Sequence, residues 1–531
     1  MTFNIINDKY RKLIVSIYFV LIFILGLSIF NDYGISFDEP VSRDNGGVSL
    51  KYTFDLVNTK LLENDVQLQK YKIPLNEYRD KDYGVFFDMP IFILERVLDI
   101  NESRNQYLLR HLFSFIFYFL SIFYIYKIIN NANNWKWGLL GSLLYVTCPR
   151  IFAESFYNNK DIVFMSACVF CTYTLLKFIE KNSYKNALIH AVVTAMAIDI
   201  RIAGLMFPLM TFTLLGCKAK SENDWLRKAY ITLFYLLFVS VFVILFWPWL
   251  WEDPVNRFLV ALKNMSNFRW DNLNLYMGNY IRAKNLPWHY LPVWISITVP
   301  FLYIIFAAVG IARTLFIISN NNRENLLNKH TVEIIALGII LCPIGISILL
   351  GSTIYDGWRQ FYFIFPSLII LCVYGIHYLY GNLNYKFLKF SLICAIFLNV
   401  TFLAYWSIKN HPYQNVYFNF LASQRWNEKF DADYWGLTNY NGIKNILISD
   451  DRPILKIGVI GYTSIHQSIS FLPEQEKVRI IVTDEKDADY LITNYRFFDG
   501  NPIINLNKNW IVFEEIIVDK NVIFTSYKKV N

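Results

Sequence analysis

Charge is scarce in this 531-residue chain: Asp, Glu, Lys and Arg make up 17% of it, against roughly 25% in soluble globular proteins. That shortage excludes an ordinary water-soluble fold and a solvated disordered chain. Cysteine is also thin. The seven residues (Cys148, Cys168, Cys171, Cys217, Cys342, Cys372 and Cys394) all lie in or at the ends of apolar runs. Neither a disulfide framework nor a paired zinc spacing can be drawn from them. Cys168 and Cys171 are spaced C-x-x-C, but inside an apolar run, where packing is the expected role. No internal repeat is visible, which counts against the paired-repeat architecture of many transporters. The basic residues behind the net charge of +8 do not gather in one polar domain, so no nucleic-acid partner is expected.

Apolar and aromatic residues are abundant instead, at 55% and 18%. Runs of roughly 18 or more apolar residues recur, each able to cross about 30 Å of hydrocarbon. The pattern predicts a mostly α polytopic membrane protein with about eleven spans. They fall near 13–30, 108–127, 136–149, 161–179, 186–199, 202–216, 229–247, 290–314, 332–351, 360–380 and 386–408. The first lacks a small-residue cleavage pattern and is read as an uncleaved span. Lysines and arginines collect in alternate connections, among them Lys127, Lys136, Lys177, Lys181, Lys185, Arg227, Lys228, Arg313 and Lys386. Those connections are predicted to be cytoplasmic.

That parity puts 31–107, 149–160, the break at Asp199–Arg201, 248–289, 352–359 and everything after about 408 on the outer side. Residues 1–408 are read as the membrane domain, and 31–107 as its first outer loop with a short interfacial helix over Ile91–Ile100. Residues 409–531 are read as a small extracytoplasmic α/β domain. Its predicted strands are Lys456–Ile460, Val478–Thr483, Tyr490–Thr493, Trp510–Val518 and Val522–Tyr527, with a turn at Asp499-Gly500-Asn501-Pro502.

The polar residues on that one side carry the functional reading. Asn31-Asp32-Tyr33-Gly34-Ile35-Ser36-Phe37-Asp38-Glu39-Pro40 leaves the first span with two adjacent carboxylates in what reads as a turn. Pro149 through Asp161 is dense in polar groups: Arg150 and Lys160 are candidates to contact an anion. Asp161 either caps the next helix or orients a reacting group. Arg201, Arg110 before His111, and Arg359 within Tyr355-Asp356-Gly357-Trp358-Arg359-Gln360 add cations at membrane depth, where charge is costly and guanidinium grips phosphate in bidentate fashion. Carboxylates facing cations at a lipid rim suit sugar transfer from a lipid-linked phosphate. A base deprotonates the acceptor and cations neutralise the leaving phosphate. Asp38 is the expected base, with Glu39 positioning it or the acceptor.

At these residues the chain resembles the GT-C membrane glycosyltransferases, and within them the bacterial relatives of dolichyl-phosphate-mannose protein mannosyltransferases and of lipid A aminoarabinose transferases. The resemblance rests on Phe37-Asp38-Glu39-Pro40, Pro149-Arg150 through Asn159-Lys160-Asp161, Arg201-Ile202-Ala203-Gly204 and Tyr355 through Gln360. It also rests on Pro287-Trp288-His289-Tyr290-Leu291-Pro292, on His411-Pro412-Tyr413 through Asn419, and on Asp431-Ala432-Asp433-Tyr434-Trp435-Gly436, so it spans about residues 30 to 440. It implies an outward-facing site in the cytoplasmic (inner) membrane, a polyprenyl-phosphate sugar donor, inversion at the anomeric carbon, and Arg110 on the donor phosphate. Tyr83, His289 and Asp356 are the candidate sugar or acceptor contacts. No cofactor is implied, a divalent metal is left open, and the acceptor is a glycan, a lipid or a protein. The alternative is a transporter or flippase of lipid-linked sugars.

Overall fold

The computed structural model describes residues 8–57, 64–219, 225–266, 268–462, 465–496 and 509–530. Nearly every apolar run forms a helix. In chain order these are α1 (Asp8–Ile29), α2 (Glu39–Val57), α3 (Asp88–Val97), α4 (Ser103–Ala132), α5 (Trp135–Val146) and α6 (Pro149–Tyr157). There follow α7 (Asp161–Glu180), α8 (Tyr184–Ile200), α9 (Met206–Ala219), α10 (Trp225–Phe246), α11 (Pro254–Ser266) and α12 (Tyr290–Thr298). The series closes with α13 (Phe301–Asn320), α14 (Arg323–Lys329), α15 (Thr331–Leu350), α16 (Phe365–Asn382), α17 (Lys386–Lys409) and α18 (Thr438–Ser449).

Among the described residues eight helices are long and apolar enough to cross a membrane: α1, α4, α7, α10, α13, α15, the stretch Arg359–Asn382 containing α16, and α17. The protein is a multi-pass membrane protein. Three of the eleven predicted spans are helical but shorter: α5 has 12 residues, α8 17 and α9 14. At 1.5 Å per residue these rise about 18 to 26 Å, because Pro149 and the Arg201 break interrupt them. The predicted span 290–314 is also cut, by Pro300 between α12 and α13, where the ring cannot continue the helical hydrogen bonding.

Small residues set the closest packing. A Cβ on Gly310 of α13 would lie 2.0 Å from the Leu371 carbonyl oxygen, and one on Gly375 of α16 would lie 2.0 Å from that of Phe306. The two backbones touch as small-residue helix pairs do in membranes.

The loop predicted to be the first outer one holds more helix, among its described residues, than the one short helix expected. Its interfacial helix is α3, and a second helix, α2, begins at Glu39 with Pro40 in its first turn. Pro40 therefore starts a helix rather than closing a turn, a position where its missing N–H costs nothing.

At the same end of the bundle sits a hairpin of β1 (Leu273–Tyr276) and β2 (Asn279–Arg282). Beyond α17 a five-stranded sheet has the order β4-β3-β5-β7-β6, with β3 (Leu455–Val459), β4 (Ile480–Val482), β5 (Tyr490–Thr493), β6 (Trp510–Val518) and β7 (Asn521–Lys529). β3 pairs parallel with β4 and β5, while β7 runs antiparallel to β5 and β6. The predicted turn Asp499–Pro502 lies outside the described residues. Leu455, Ile457, Tyr490, Ile492 and Phe524 pack on Ile443, Ile446 and Leu447 of α18 in a core that also takes in Ile35 and Tyr107. The sheet domain is thereby seated on the membrane helices beside Asp38.

Candidate active site

The turn that carries Asp38 is fixed from both sides. The Ser36 amide donates to Glu39 Oε2 at 2.7 Å and the Ser36 hydroxyl to the Tyr157 carbonyl at 3.0 Å. Ser36 and Glu39 have the S-x-x-E spacing of a capping box, but only its Glu half forms, since the Ser36 hydroxyl turns to Tyr157 instead. Glu39 is fully buried, and its other oxygen lies 2.9 Å from His111 Nε2. It therefore does not face the neighbouring polar cluster, as a catalytic carboxylate would have to. It anchors α2 to α4, and so fixes Asp38 from behind.

Asp38 points the other way. Its side chain is 33% exposed and accepts from Arg359 Nη1 at 2.8 Å. The same guanidinium reaches Asp161 Oδ2 at 3.2 Å and Asp356 Oδ2 at 3.3 Å, between the rings of Tyr355 and Trp435 at 5.0 and 4.6 Å. Arg201 bonds the second oxygen of Asp161. Asn158 donates to that carboxylate at 3.2 Å and accepts from the Asp161 amide at 2.9 Å. Asp161, 1% exposed, is thus both a first-turn helix residue and an anchor for two arginines. Lys160 lies over the Tyr83 ring, 2.9 Å from its centre.

Burial alone would raise the pKa of Asp38, but Arg359, with Lys160 and Arg201, holds it below its ordinary value. Burial, with Arg201 beside it, lowers Lys160 to about 8. The Nε donors of Arg201 and Arg359 are buried without a partner among the described residues. Unmet charged donors beside a half-buried carboxylate are what an oxyanion would satisfy.

Several expected residues are engaged elsewhere. Arg110 is fully buried and paired with Glu95 at 3.2 Å and Asp88 at 3.3 Å. Arg43 joins Glu95 at 2.9 Å, so this group braces the first loop against α4. Arg150 is buried too, donating to the Tyr417 carbonyl at 3.2 Å with its guanidinium 5.2 Å from the Phe418 ring. It clamps the segment leading to the sheet domain. His289 Nδ1 is 2.6 Å from the Tyr276 hydroxyl and holds the β1–β2 hairpin. Buried or half-buried, each guanidinium has found protein partners because an unpaired one would be costly.

Asp356 does join the cluster, as a bridge. One oxygen meets Arg359 and the other Arg496 at 2.7 Å. Arg496 follows β5 in the sheet domain, and nothing in its sequence context marks it. Trp435, the other missed contributor, lies in a motif that carried the family resemblance. Among the described residues no three His, Cys, Asp or Glu side chains converge as a metal site.

Residues 89–251 match the family model described as dolichyl-phosphate-mannose-protein mannosyltransferase. That match bears out the resemblance read from the residues. No curated protein matches the chain. Among solved structures, ArnT from Cupriavidus metallidurans bound to undecaprenyl phosphate is similar at 10% identity and a TM-score of 0.49, over 89% of this chain and 86% of that one. The oligosaccharyltransferase of Archaeoglobus fulgidus is similar at 9% identity and 0.46, over 90% and 70%. The mycobacterial arabinofuranosyltransferase AftD is similar at 10% and 0.38, over 85% and 36%.

Proposed function

From a membrane chain whose residues 89–251 match the dolichyl-phosphate-mannose-protein mannosyltransferase model, we propose an inverting glycosyltransferase that takes its sugar from a polyprenyl-phosphate donor. The observation that carries this reading is the half-buried Asp38 carboxylate held by Arg359 at 2.8 Å, with Lys160 and Arg201 close by.

The donor phosphate enters beside these cations and takes up the free Nε donors of Arg359 and Arg201. Arg359 then divides its charge between phosphate and Asp38, and the carboxylate becomes more basic than in the resting ion pair. Asp38 accepts the proton of an acceptor hydroxyl. The acceptor oxygen bonds to the anomeric carbon from the face opposite the phosphate, and the bond from that carbon to the phosphate oxygen breaks. The polyprenyl phosphate leaves with the electron pair, its charge met by Arg359, Arg201 and Lys160. Asp161 and Asp356 hold the arginines and do not react. The site works on the extracytoplasmic side of the cytoplasmic membrane, where the sheet domain also lies.

The test is transfer by purified protein in nanodiscs, offered labelled undecaprenyl-phosphate sugars singly with an extract of cell-envelope glycans, glycolipids and proteins. Label is expected to pass from one donor to an acceptor. Movement of intact lipid-linked sugar across reconstituted vesicles, with no transfer, would favour the transporter reading instead.

A further inference from the structure

Beside the arginine cluster a narrow cleft follows the seam between the first outer loop and the sheet domain. Phe37, Trp435, Asn439, Tyr462, Gln467 and Arg496 line it. It adjoins the reacting end directly. Phe37 precedes Asp38 in the chain, and the Trp435 ring that walls the cleft packs 4.6 Å from the Arg359 guanidinium. Phe37 and Tyr462 face one another across the seam with ring centres 6.0 Å apart, and Tyr462 is 44% exposed at the rim.

Three buried polar atoms here have no hydrogen-bond partner among the described residues: Trp435 Nε1, Asn439 Oδ1 and Gln467 Oε1. Trp435 and Asn439 are 3% and 1% exposed. Buried polar atoms are usually met, and one ligand that offers both donors and acceptors would meet all three. A hydroxyl does both. Arg496, the one cation among the described lining residues, is already spent, since it bonds Asp356 at 2.7 Å and the Tyr434 carbonyl. The two amide oxygens would repel an anion. Among the described residues its lining is four aromatic rings, of Phe37, Tyr434, Trp435 and Tyr462, with side-chain amides, a surface suited to sugar rings.

We propose that this cleft is the acceptor subsite and that it takes a neutral saccharide, ring faces against Phe37 and Tyr462, hydroxyls on Trp435, Asn439 and Gln467. The proposal rests on the sugar-transferase reading above. It gives the sheet domain a task, as one wall of the acceptor site, and presents a sugar hydroxyl to Asp38. The cleft is tight (about 10 Å³ for water-sized occupants), so occupancy requires the Tyr462 rim to move outward.

The test is saturation-transfer NMR on the full-length protein in detergent. The probes are trisaccharides of glucose, mannose, galactose and N-acetylglucosamine, and a Ser/Thr-rich decapeptide. At least one trisaccharide is expected to bind through its ring protons, with affinity roughly fivefold to tenfold weaker in Tyr462→Ala, the scale of one lost aromatic contact. Gln467→Ala should weaken it as well. Binding of the peptide alone, of no trisaccharide, or of trisaccharides equally by wild type and both variants overturns the proposal. Transfer measured on the same preparations separates the two readings. Sugar transfer without saccharide binding sinks the subsite alone, and saccharide binding by a protein that transfers nothing sinks the transferase reading alone.

Discussion

Arg359 is the residue on which the site turns, because it holds three carboxylates at once: Asp38, Asp161 and Asp356. Replacing it by Lys keeps the charge but loses the planar fork that spans them. Arg359→Lys is therefore expected to lower donor affinity and kcat together, with kcat/KM for donor falling on the order of 100-fold, the loss of about 3 kcal/mol of preorganised contacts. Steady-state kinetics over a donor series reads this out, and a KM effect with unchanged kcat would assign Arg359 to ground-state binding only.

Lys160 gives the pH dependence. Its pKa is lowered by burial and by Arg201, against the pull of Asp88, Asp38 and Asp80, to about 8. The ammonium is present below that value and lost above it. Donor affinity is expected to fall as pH passes about 8. In Lys160→Arg, which stays charged, that fall should disappear; an identical profile in the variant would remove Lys160 from the phosphate site.

At the scale of elements, the α13–α16 contact is a sharp structural dependence. Gly375→Leu forces a side chain where the Phe306 carbonyl lies 2.0 Å from an ideal Cβ, so the helices must separate. A loss of about 1–3 kcal/mol is expected, seen as a lower unfolding temperature in detergent, whereas an exposed substitution such as Phe390→Leu should change it little. The helices themselves were legible in the sequence because hydropathy alone makes an apolar run helical in lipid. The five strands of the sheet domain were legible as short β-branched runs between turns, whereas the β1–β2 hairpin was not predicted.

Side-chain direction was harder to read. Arg110 and Arg150 enter helices at the correct end of the bundle, but whether a guanidinium faces the rim or the interior depends on which partners arrive from distant segments. For Arg110 these are Glu95 and Asp88; for Arg150, the Tyr417 carbonyl. Glu39 was expected to position Asp38 or the acceptor, and its bond back to the Ser36 amide three residues earlier fits the first of these. Arg496 could not be foreseen, since its partner Asp356 is 140 residues away and no local pattern marks an arginine at a strand end.

For the whole molecule, the parity of the helices brings residues from the first loop, the start of α7, the end of α8, the segment before α16 and the sheet domain to one end of the bundle. There they bond one another. The opposite ends hold Glu180 and the lysines of the alternate connections, and from the positive-inside pattern we propose that this face is cytoplasmic. A membrane-impermeant maleimide is expected to label Glu474→Cys in intact cells and Glu180→Cys only after permeabilisation, in a background without native cysteines. The reverse labelling would turn the molecule over.

Asp38, proposed as the base that a lipid-linked donor makes active, is the residue on which transfer depends. Its most direct measurement is single-turnover transfer of labelled sugar from a polyprenyl-phosphate donor by reconstituted wild type and Asp38→Asn, with donor binding measured in parallel. The predicted result is donor binding within about twofold of wild type, a 0.4 kcal/mol window, and transfer slowed by about 10² to 10⁴-fold, the range of a lost general base. Transfer at the wild-type rate in the Asn variant would contradict it.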